Sequence, residues 1–234
     1  KIKSLIEFVK NRKKYILRLT EISSVERNYI VTHSVKTAVL CIAIGITLKF
    51  PPHKLIELGI SSILHEIGMI RLPPQIYMSE QKLNDQQKKT ITAHPVLGFK
   101  ILKSYSFPMS VCLAVLESHE NIDGSGYPRG LTGEKISIYA KIINVCSAYS
   151  ALISKRPFRD EIDGHAGILD LLSMRGKTYD ERILRALVLN LSIFPIGTYV
   201  LLSNGSKGMV IETDKENPRA PVVQFGNHPP LPVA

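Results

Sequence analysis

The most informative segment of this chain is eleven residues long and reads Ser118-His119-Glu120-Asn121-Ile122-Asp123-Gly124-Ser125-Gly126-Tyr127-Pro128. A histidine and a glutamate precede a short loop that is rich in glycine and ends in proline. Gly124 and Gly126 permit backbone conformations that other residues resist, and Pro128 fixes the backbone at the exit of the loop. The segment therefore predicts a metal-binding helix that leads into a loop shaped for a ligand or a partner.

Upstream and downstream of this segment, the apolar pattern predicts an α-helical bundle. Apolar residues recur at helical spacing, and proline or glycine breaks separate the predicted helices. We predict these helices over residues 2–19, 24–50, 53–67, 84–93, 95–105, 108–120, 136–154 and 180–193. No series of alternating strands interrupts them, so the fold class is mainly α.

The pattern changes after residue 194. Residues 198–202 and 209–212 are rich in β-forming side chains and flank Asn204-Gly205-Ser206-Lys207-Gly208, which is a hairpin turn sequence. Residues 221–225 suggest a third short strand. We therefore predict a helical domain over residues 1–194, with residues 1–23 as a helix leading in. A small three-stranded β appendage is predicted over residues 195–234, too short for a core of its own.

Composition narrows the class of protein. The net charge of +10 is compatible with an anionic partner, but the basic cluster within residues 10–14 has no interleaved aromatic residues, so we expect no nucleic acid. We predict no membrane span, because apolar runs stay below the ~18 residues that one requires. Three scattered cysteines without a C-x-x-C motif predict buried, reduced thiols in a cytoplasmic protein. The chain starts at Lys1, and we expect it to be part of a longer protein.

Four of the seven histidines lie where helices of a bundle can deliver them to a shared interior, and these are His33, His65, His94 and His119. Glu66 adds a carboxylate next to His65. Helical bundles build metal sites from such inward-facing side chains. For any one histidine alone, a core or surface role without a ligand is the simpler interpretation. The combination predicts a metal site, because imidazoles and carboxylates bind the divalent ions that cleave phosphodiesters.

These motifs occur in an order that resembles the HD-GYP family, metal-dependent phosphodiesterases that open cyclic di-GMP. The opening segment resembles the second half of the family signature. Leu64-His65-Glu66-Ile67-Gly68 resembles its L-H-D-I-G-K stretch, and His94-Pro95 followed by Gly98 resembles its H-P-x-x-G motif. Residues 130–136, 141–152 and 156–159 are also similar to family motifs. The resemblance covers roughly residues 25–194 and implies an HD-domain-like helical bundle.

The resemblance also implies two sets of site residues. The metal-ligating set is partial and comprises His33, His65, Glu66, His94 and His119. The ligand-binding set comprises Asp123, Gly126, Tyr127, Pro128, Arg156 and Arg159. The two arginines fall where the family places its phosphate-binding Arg and Lys, and arginine suits bidentate phosphate contact. Outside this resemblance, they would be interpreted as solvated surface residues.

Several metal- or phosphate-binding positions of the family carry different residues here, namely Tyr29, Glu66, Met69, Ser118, Ser147 and Ser150. Two divalent ions about 4 Å apart repel each other by roughly 17 kcal/mol at an effective dielectric of about 20. Among the matching positions, Glu66 alone stays negative. We therefore expect no dinuclear centre, and either one divalent ion (Fe, Mn or Zn) or none.

Alternatives remain open for the metal site and for the function. A single ion would be held by Glu66 with His94 and His119, or by His33 with His65. In an empty pocket, the histidines would instead form hydrogen bonds with Ser118, Ser147 and Tyr29.

The leading functional hypothesis is a catalytically impaired module of cyclic di-GMP signalling that binds cyclic di-GMP or a related nucleotide. The second is a protein-interaction module without nucleotide, since the family's GYP loop is linked to contacts with cyclic di-GMP synthase domains. The third is a slow phosphodiesterase that uses one metal ion.

Overall fold

The computed structural model describes residues 1–11, 29–77, 84–154, 162–214, 217, 219–225 and 231–232. It confirms a mainly α fold with a small β-sheet at the C-terminal end. The helices are α1 (Ile2–Asn11), α2 (Tyr29–Thr47), α3 (Pro52–Leu64), α4 (Pro74–Tyr77), α5 (Asp85–Ile91), α6 (His94–Ser104), α7 (Met109–Leu116), α8 (Ile138–Leu152), α9 (Gly164–Ser173) and α10 (Glu181–Leu191). Two 3-10 helices span Ile67–Arg71 and Gly133–Lys135.

Helix α2 is the centre of the bundle. It packs against α1, α3, α8 and α10, and its middle is buried without interruption from Thr37 to Gly45. A helix that is apolar on all sides is typical of a core position. The main cluster of buried side chains includes Leu40, Ile44, Leu58, Ile142 and Leu184.

By length and composition, α2 would also be able to cross a membrane. Its most apolar 18-residue window has a mean hydropathy of 1.7, which the sequence-based expectation of no membrane span had overlooked. The central helix of a bundle meets the same criterion, and 67% of this window is buried inside the protein.

The contact between the first 3-10 helix and α6 depends on Gly68. A Cβ atom at Gly68 would lie 1.9 Å from the carbonyl oxygen of His94 and 2.7 Å from the backbone nitrogen of Gly98. No side chain fits at these distances, so glycine is required for the two backbones to approach this closely. The turn before the 3-10 helix is thereby held against the start of α6.

The C-terminal sheet is antiparallel, with strand order β1 (Tyr199–Leu201), β2 (Lys207–Glu212), β3 (Val222–Gln224) and β4 (Leu231–Pro232). The three predicted strands are confirmed, and β4 is an addition. Two residues that include a proline show no alternation, so the sequence gives no signal for β4. Val210 and Val223 are buried partners across β2 and β3. The division into domains at residue 194 stays a prediction.

Two further helices, α4 and α9, were not predicted from the sequence. Helix α9 begins after Asp163, whose side chain accepts hydrogen bonds from the backbone nitrogens of His165 and Ala166. This is ordinary N-cap chemistry. Gly164 and Gly167 weaken the helical signal in the sequence, because glycine has a low helix propensity. The predicted parts of the first two helices in residues 12–28 lie outside the described residues.

Candidate metal centre

The predicted metal-ligating side chains meet around Glu66. His33 comes from the first turns of α2, and His65 and Glu66 occupy the turn that follows α3. His94 is the first residue of α6, and His119 lies three residues after α7 ends. The structure thus brings together five side chains from separate parts of the sequence.

All four imidazoles present Nε2 to the carboxylate of Glu66. The Nε2 atoms of His33, His65 and His119 lie 4.0, 3.6 and 4.0 Å from Oε1. His94 Nε2 lies 3.3 Å from Oε2. All four distances exceed normal hydrogen-bond lengths. The arrangement surrounds the carboxylate without forming an ordinary hydrogen-bonded cluster.

Backbone carbonyls fix the tautomers of two of these histidines. His65 Nδ1 lies 2.8 Å from the carbonyl oxygen of Ser62, and His94 Nδ1 lies 2.8 Å from that of Ile91. A carbonyl oxygen only accepts, so each Nδ1 carries the proton and donates it. In the neutral ring, Nε2 therefore carries a lone pair that faces the carboxylate.

Burial favours the neutral form of His65 and His119 by lowering the pKa of each ring. It lowers the pKa of His65 from its usual value, although Glu66 opposes the shift. Burial, followed by the nearby His94, lowers the pKa of His119 to about 3. Neutral imidazoles are the form that ligates metal ions.

The buried nitrogen atoms fit a cation. Within the part of the chain that the structure describes, Nε2 of His65, His94 and His119 has no hydrogen-bond partner. Lone pairs that face a carboxylate repel it, and leaving buried polar atoms without partners is costly. A divalent ion between the nitrogens and the carboxylate would remove this repulsion and give the buried nitrogen atoms a partner. Two histidines with one carboxylate are a suitable ligand set for such an ion.

The candidate ligands form two overlapping groups. One comprises His33, His65 and Glu66, and the other comprises Glu66, His94 and His119, with ligand atoms within 4.8 Å of one another in each group. These groups contain the two ligand combinations left open by the sequence, with Glu66 added to His33 and His65, and which of them holds an ion stays a prediction. Each group is built around the same single negative charge.

The serines at family ligand positions behave differently from one another. Ser147 Oγ lies 3.1 Å from His33 Nε2, as expected for a serine in contact with a histidine. Ser118 differs from the empty-pocket alternative, because its hydroxyl donates to the carbonyl oxygen of Val115 in the last turn of α7. Ser150 Oγ is buried and has no hydrogen-bond partner among the described residues.

The glycine-rich loop closes directly onto His119. The predicted helix over residues 108–120 ends earlier, at Leu116, because the backbone of His119 pairs with Tyr127 instead of continuing the helix. Tyr127 donates its backbone N–H to the carbonyl oxygen of His119 at 3.0 Å. A Cβ atom at Gly126 would lie 2.4 Å from that oxygen, so this pairing requires glycine.

Two buried carboxylates hold the far side of the loop. Glu120 accepts hydrogen bonds from the backbone nitrogens of Arg129 at 2.7 Å and Leu131 at 2.8 Å. Glu117 accepts from the backbone nitrogen of Ser137 at 2.8 Å and from the Arg129 guanidinium. Sequence reasoning missed both roles. The available signal was a pair of glutamates three residues apart at the end of an apolar helix.

The predicted ligand-binding residues divide into two groups. Asp123 is exposed and accepts hydrogen bonds from the backbone nitrogen and hydroxyl of Ser125, which lower its pKa. Gly126, Tyr127 and Pro128 are half-buried beside His119. The predicted phosphate-binding arginines, Arg156 and Arg159, lie outside the described residues.

Comparisons with known proteins agree with the fold and with the order of motifs. A sequence model described as the HD domain matches residues 5–183. The cyclic di-GMP phosphodiesterase PdeB of Borreliella burgdorferi is 33% identical over 209 residues, which are 89% of this chain and 55% of that protein. A cyclic di-GMP phosphodiesterase of Pseudomonas aeruginosa is 34% identical over 188 residues, covering 79% of this chain and 44% of that protein.

Among solved structures, an HDG"Y"P protein from Bdellovibrio bacteriovorus superposes with a TM-score of 0.65 at 18% identity. The match covers 80% of this chain and 63% of that one. This similarity supports the helical bundle as an HD-type fold. The chain spans about half the length of the curated relatives that it matches.

Proposed function

The chain belongs to the HD domain family, and from this premise we propose that it is a catalytically impaired module that binds a cyclic dinucleotide at a single divalent ion. The convergence of four imidazoles on the Glu66 carboxylate carries this proposal. Its relatives from Borreliella and Pseudomonas are named as cyclic di-GMP phosphodiesterases. Cyclic di-GMP is therefore the first ligand to test.

Different residues would bind the metal ion and the phosphates of the ligand. Glu66 would supply the negative charge that holds the ion, and the histidines would complete its coordination with neutral nitrogen atoms. A divalent ion bound there supplies Lewis-acid polarisation of a phosphoryl oxygen. Arg156 and Arg159 would bind the phosphates, a role that rests on the family resemblance.

The same site explains why hydrolysis would be impaired. Glu66 is the one carboxylate in the ligand groups formed by the described residues. Ser147, close to His33, is a neutral and weak ligand where the family has an aspartate. Met69 is buried and apolar where the family has a phosphate-binding lysine. A second divalent ion would lack the anionic ligands that offset its repulsion from the first.

Metal content and nucleotide binding test this proposal together. We expect about one divalent ion per chain after loading with Mn²⁺ or Fe²⁺, and calorimetric binding of cyclic di-GMP by the loaded protein. Glu66→Gln should lose the ion, and Arg156→Ala should keep the ion but weaken nucleotide binding. His165→Gln is the control, since His165 lies outside the site beside Ile193. Loaded wild-type protein that binds no cyclic dinucleotide would refute the proposal.

Slow hydrolysis with one ion is the second candidate function. It is favoured by the Nε2 atoms of His65, His94 and His119, which keep a ligand set free of hydrogen bonds to the described residues. Incubation of cyclic di-GMP with Mn²⁺- or Fe²⁺-loaded protein, followed by chromatography of the products, separates the two functions. Linear product that disappears in Glu66→Gln would show turnover, and intact substrate would leave binding as the function.

Contact with a cyclic di-GMP synthase domain is a further proposal for the exposed part of the loop. Asp123 and Ser125 are both exposed there. A pull-down with a synthase domain tests it, and capture that survives substitution at Tyr127 and at Ser125 would argue against the loop.

A further inference from the structure

We infer that Tyr127 is a positioning residue of the metal centre, because its ring sets the orientation of the His119 imidazole. This inference rests on the proposed function in so far as His119 serves as a metal ligand. It links the glycine-rich loop to metal affinity, in addition to any role of the loop in binding a ligand or a partner.

His119 differs from its neighbours in how its ring is held. His65 and His94 each donate Nδ1–H to the carbonyl of the residue three positions earlier. In the described part of the chain, the His119 imidazole forms no hydrogen bond; its Nε2 faces Glu66 Oε1 at 4.0 Å, and its closest ring contacts are with Tyr127 and His94. It stacks on Tyr127 with a centroid distance of 4.9 Å and an interplanar angle of 6°. The His94 ring is perpendicular to it, with a centroid distance of 4.8 Å and an interplanar angle of 83°.

The backbone pairing between His119 and Tyr127 brings the two rings together. His119 and Tyr127 are directly opposite in an antiparallel bridge, a pairing that places two side chains side by side on one face. The absence of a side chain at Gly126 allows the bridge to form, because a Cβ there would lie 2.3 Å from the Asn121 nitrogen. Ring stacking therefore follows from the backbone pairing.

The loop cannot slide away from His119 without breaking buried hydrogen bonds. Glu120, the next residue, is 1% exposed and binds the backbone nitrogens of Arg129 and Leu131. These two residues follow Pro128, so the carboxylate closes the loop just beyond Tyr127. The backbone bridge to His119 and the hydrogen bonds of Glu120 therefore fix the position of Tyr127 from both sides. The stacked Tyr127 ring in turn fixes the orientation of the His119 ring.

A ligand whose ring is held in place binds a metal ion more tightly than one that must be ordered on binding. Partners that orient metal ligands typically contribute about 10–100-fold in affinity. We therefore expect Tyr127→Ala to weaken Mn²⁺ binding, measured by equilibrium dialysis, by about tenfold or more. Tyr127→Phe keeps the ring and should stay within about twofold of the wild type.

A matched control exists elsewhere in the chain. Phe194 stacks on His165 with a centroid distance of 4.6 Å and an interplanar angle of 12°. Phe194→Ala removes an equivalent stacked ring from a histidine outside the site, so it should leave Mn²⁺ affinity unchanged even if it lowers the melting temperature. Equal Mn²⁺ affinity in Tyr127→Ala and wild type would overturn the inference. A loss in Tyr127→Phe as large as in Tyr127→Ala would also overturn it, because the ring would then not be the responsible group.

A second measurement keeps this inference separate from the proposed function. In metal-free protein, nuclear Overhauser contacts between the His94 and His119 rings report the orientation of His119. They should be present in wild type and Tyr127→Phe and lost in Tyr127→Ala. Contacts that persist in Tyr127→Ala would refute positioning even where the ion binds. Failure of wild-type protein to bind any ion would refute the proposed function and leave this test valid.

Discussion

Ser147 is the residue at which one substitution should change the metal centre most. Its hydroxyl lies 3.1 Å from His33 Nε2. The same nitrogen lies 4.0 Å from Oε1 of Glu66, the carboxylate of the candidate site. Ser147→Asp would add a second negative charge there. Because a unit charge about 4 Å from another contributes several kcal/mol at an effective dielectric of about 20, we expect Mn²⁺ affinity to rise by about tenfold or more. Equilibrium dialysis with elemental analysis measures both the affinity and the number of ions.

Ser147→Asn is the matched control, because asparagine has the shape of aspartate without its charge. It should leave the affinity near that of the wild type. If the Asp and Asn variants bind Mn²⁺ equally well, charge is not what limits metal affinity, and the reason proposed for impaired hydrolysis is wrong.

Residue types were easier to predict from the sequence than contacts. The histidines near helix ends, with a carboxylate next to one of them, were enough to predict the group around Glu66. The role of Glu120 was not predictable, because its partners are backbone nitrogens nine and eleven residues later. Ser118 illustrates the same limit, since its buried hydroxyl bonds to the carbonyl oxygen three residues earlier rather than to a distant histidine.

At the scale of elements, the approach of the 3-10 helix to α6 sets the position of Glu66 against His94. Gly68→Ala places a methyl group 1.9 Å from the His94 carbonyl oxygen, where only backbone movement can relieve the clash. We expect the free energy of unfolding to fall by about 1–3 kcal/mol or more. We also expect weaker Mn²⁺ binding, because the ligands move apart. Urea denaturation and equilibrium dialysis measure the two effects.

Gly167→Ala in α9 is the control for that substitution. The atoms nearest to its added methyl group belong to the side chains of Tyr149 and Ile153, at 3.3 Å and beyond. Alanine is the better helix former by up to about 1 kcal/mol, which offsets the slight crowding against Tyr149, so this variant should change the free energy of unfolding by less than about 1 kcal/mol. Similar losses in both variants would show that the 3-10 contact is not special.

Elements were predictable where periodicity was long and unbroken, as in α2 and α8. The residues at which helices end were harder to predict, because tertiary contacts determine where a helix stops. Helix α7 stops at Leu116, four residues before the predicted end, since His119 pairs with Tyr127 of the loop, a contact that the helical pattern does not reveal. Short or glycine-containing elements such as α9 and β4 carried too little pattern to be seen.

At the scale of the whole molecule, the candidate ligands tie together parts of the chain that are otherwise separate. His33 is in the central helix, whereas His94 and His119 lie on or near α6 and α7, which share a smaller apolar cluster around Leu102 and Val111. An ion held between them would join this smaller cluster to the main core. Metal binding should therefore stabilise the bundle as a unit.

This coupling can be measured as a shift in melting temperature. An ion that binds only the folded state adds about 2.7 kcal/mol at a concentration 100 times its dissociation constant. For a chain of 234 residues, that corresponds to an increase of roughly 5–10 °C at 2–4 °C per kcal/mol. We expect this shift for Mn²⁺ in differential scanning calorimetry, its reversal by a chelator, and its absence in Glu66→Gln. If Mn²⁺ raises the melting temperature of Glu66→Gln as much as that of the wild type, the ion binds elsewhere. Neutralising the carboxylate that faces all four histidines must weaken the binding of an ion held among them.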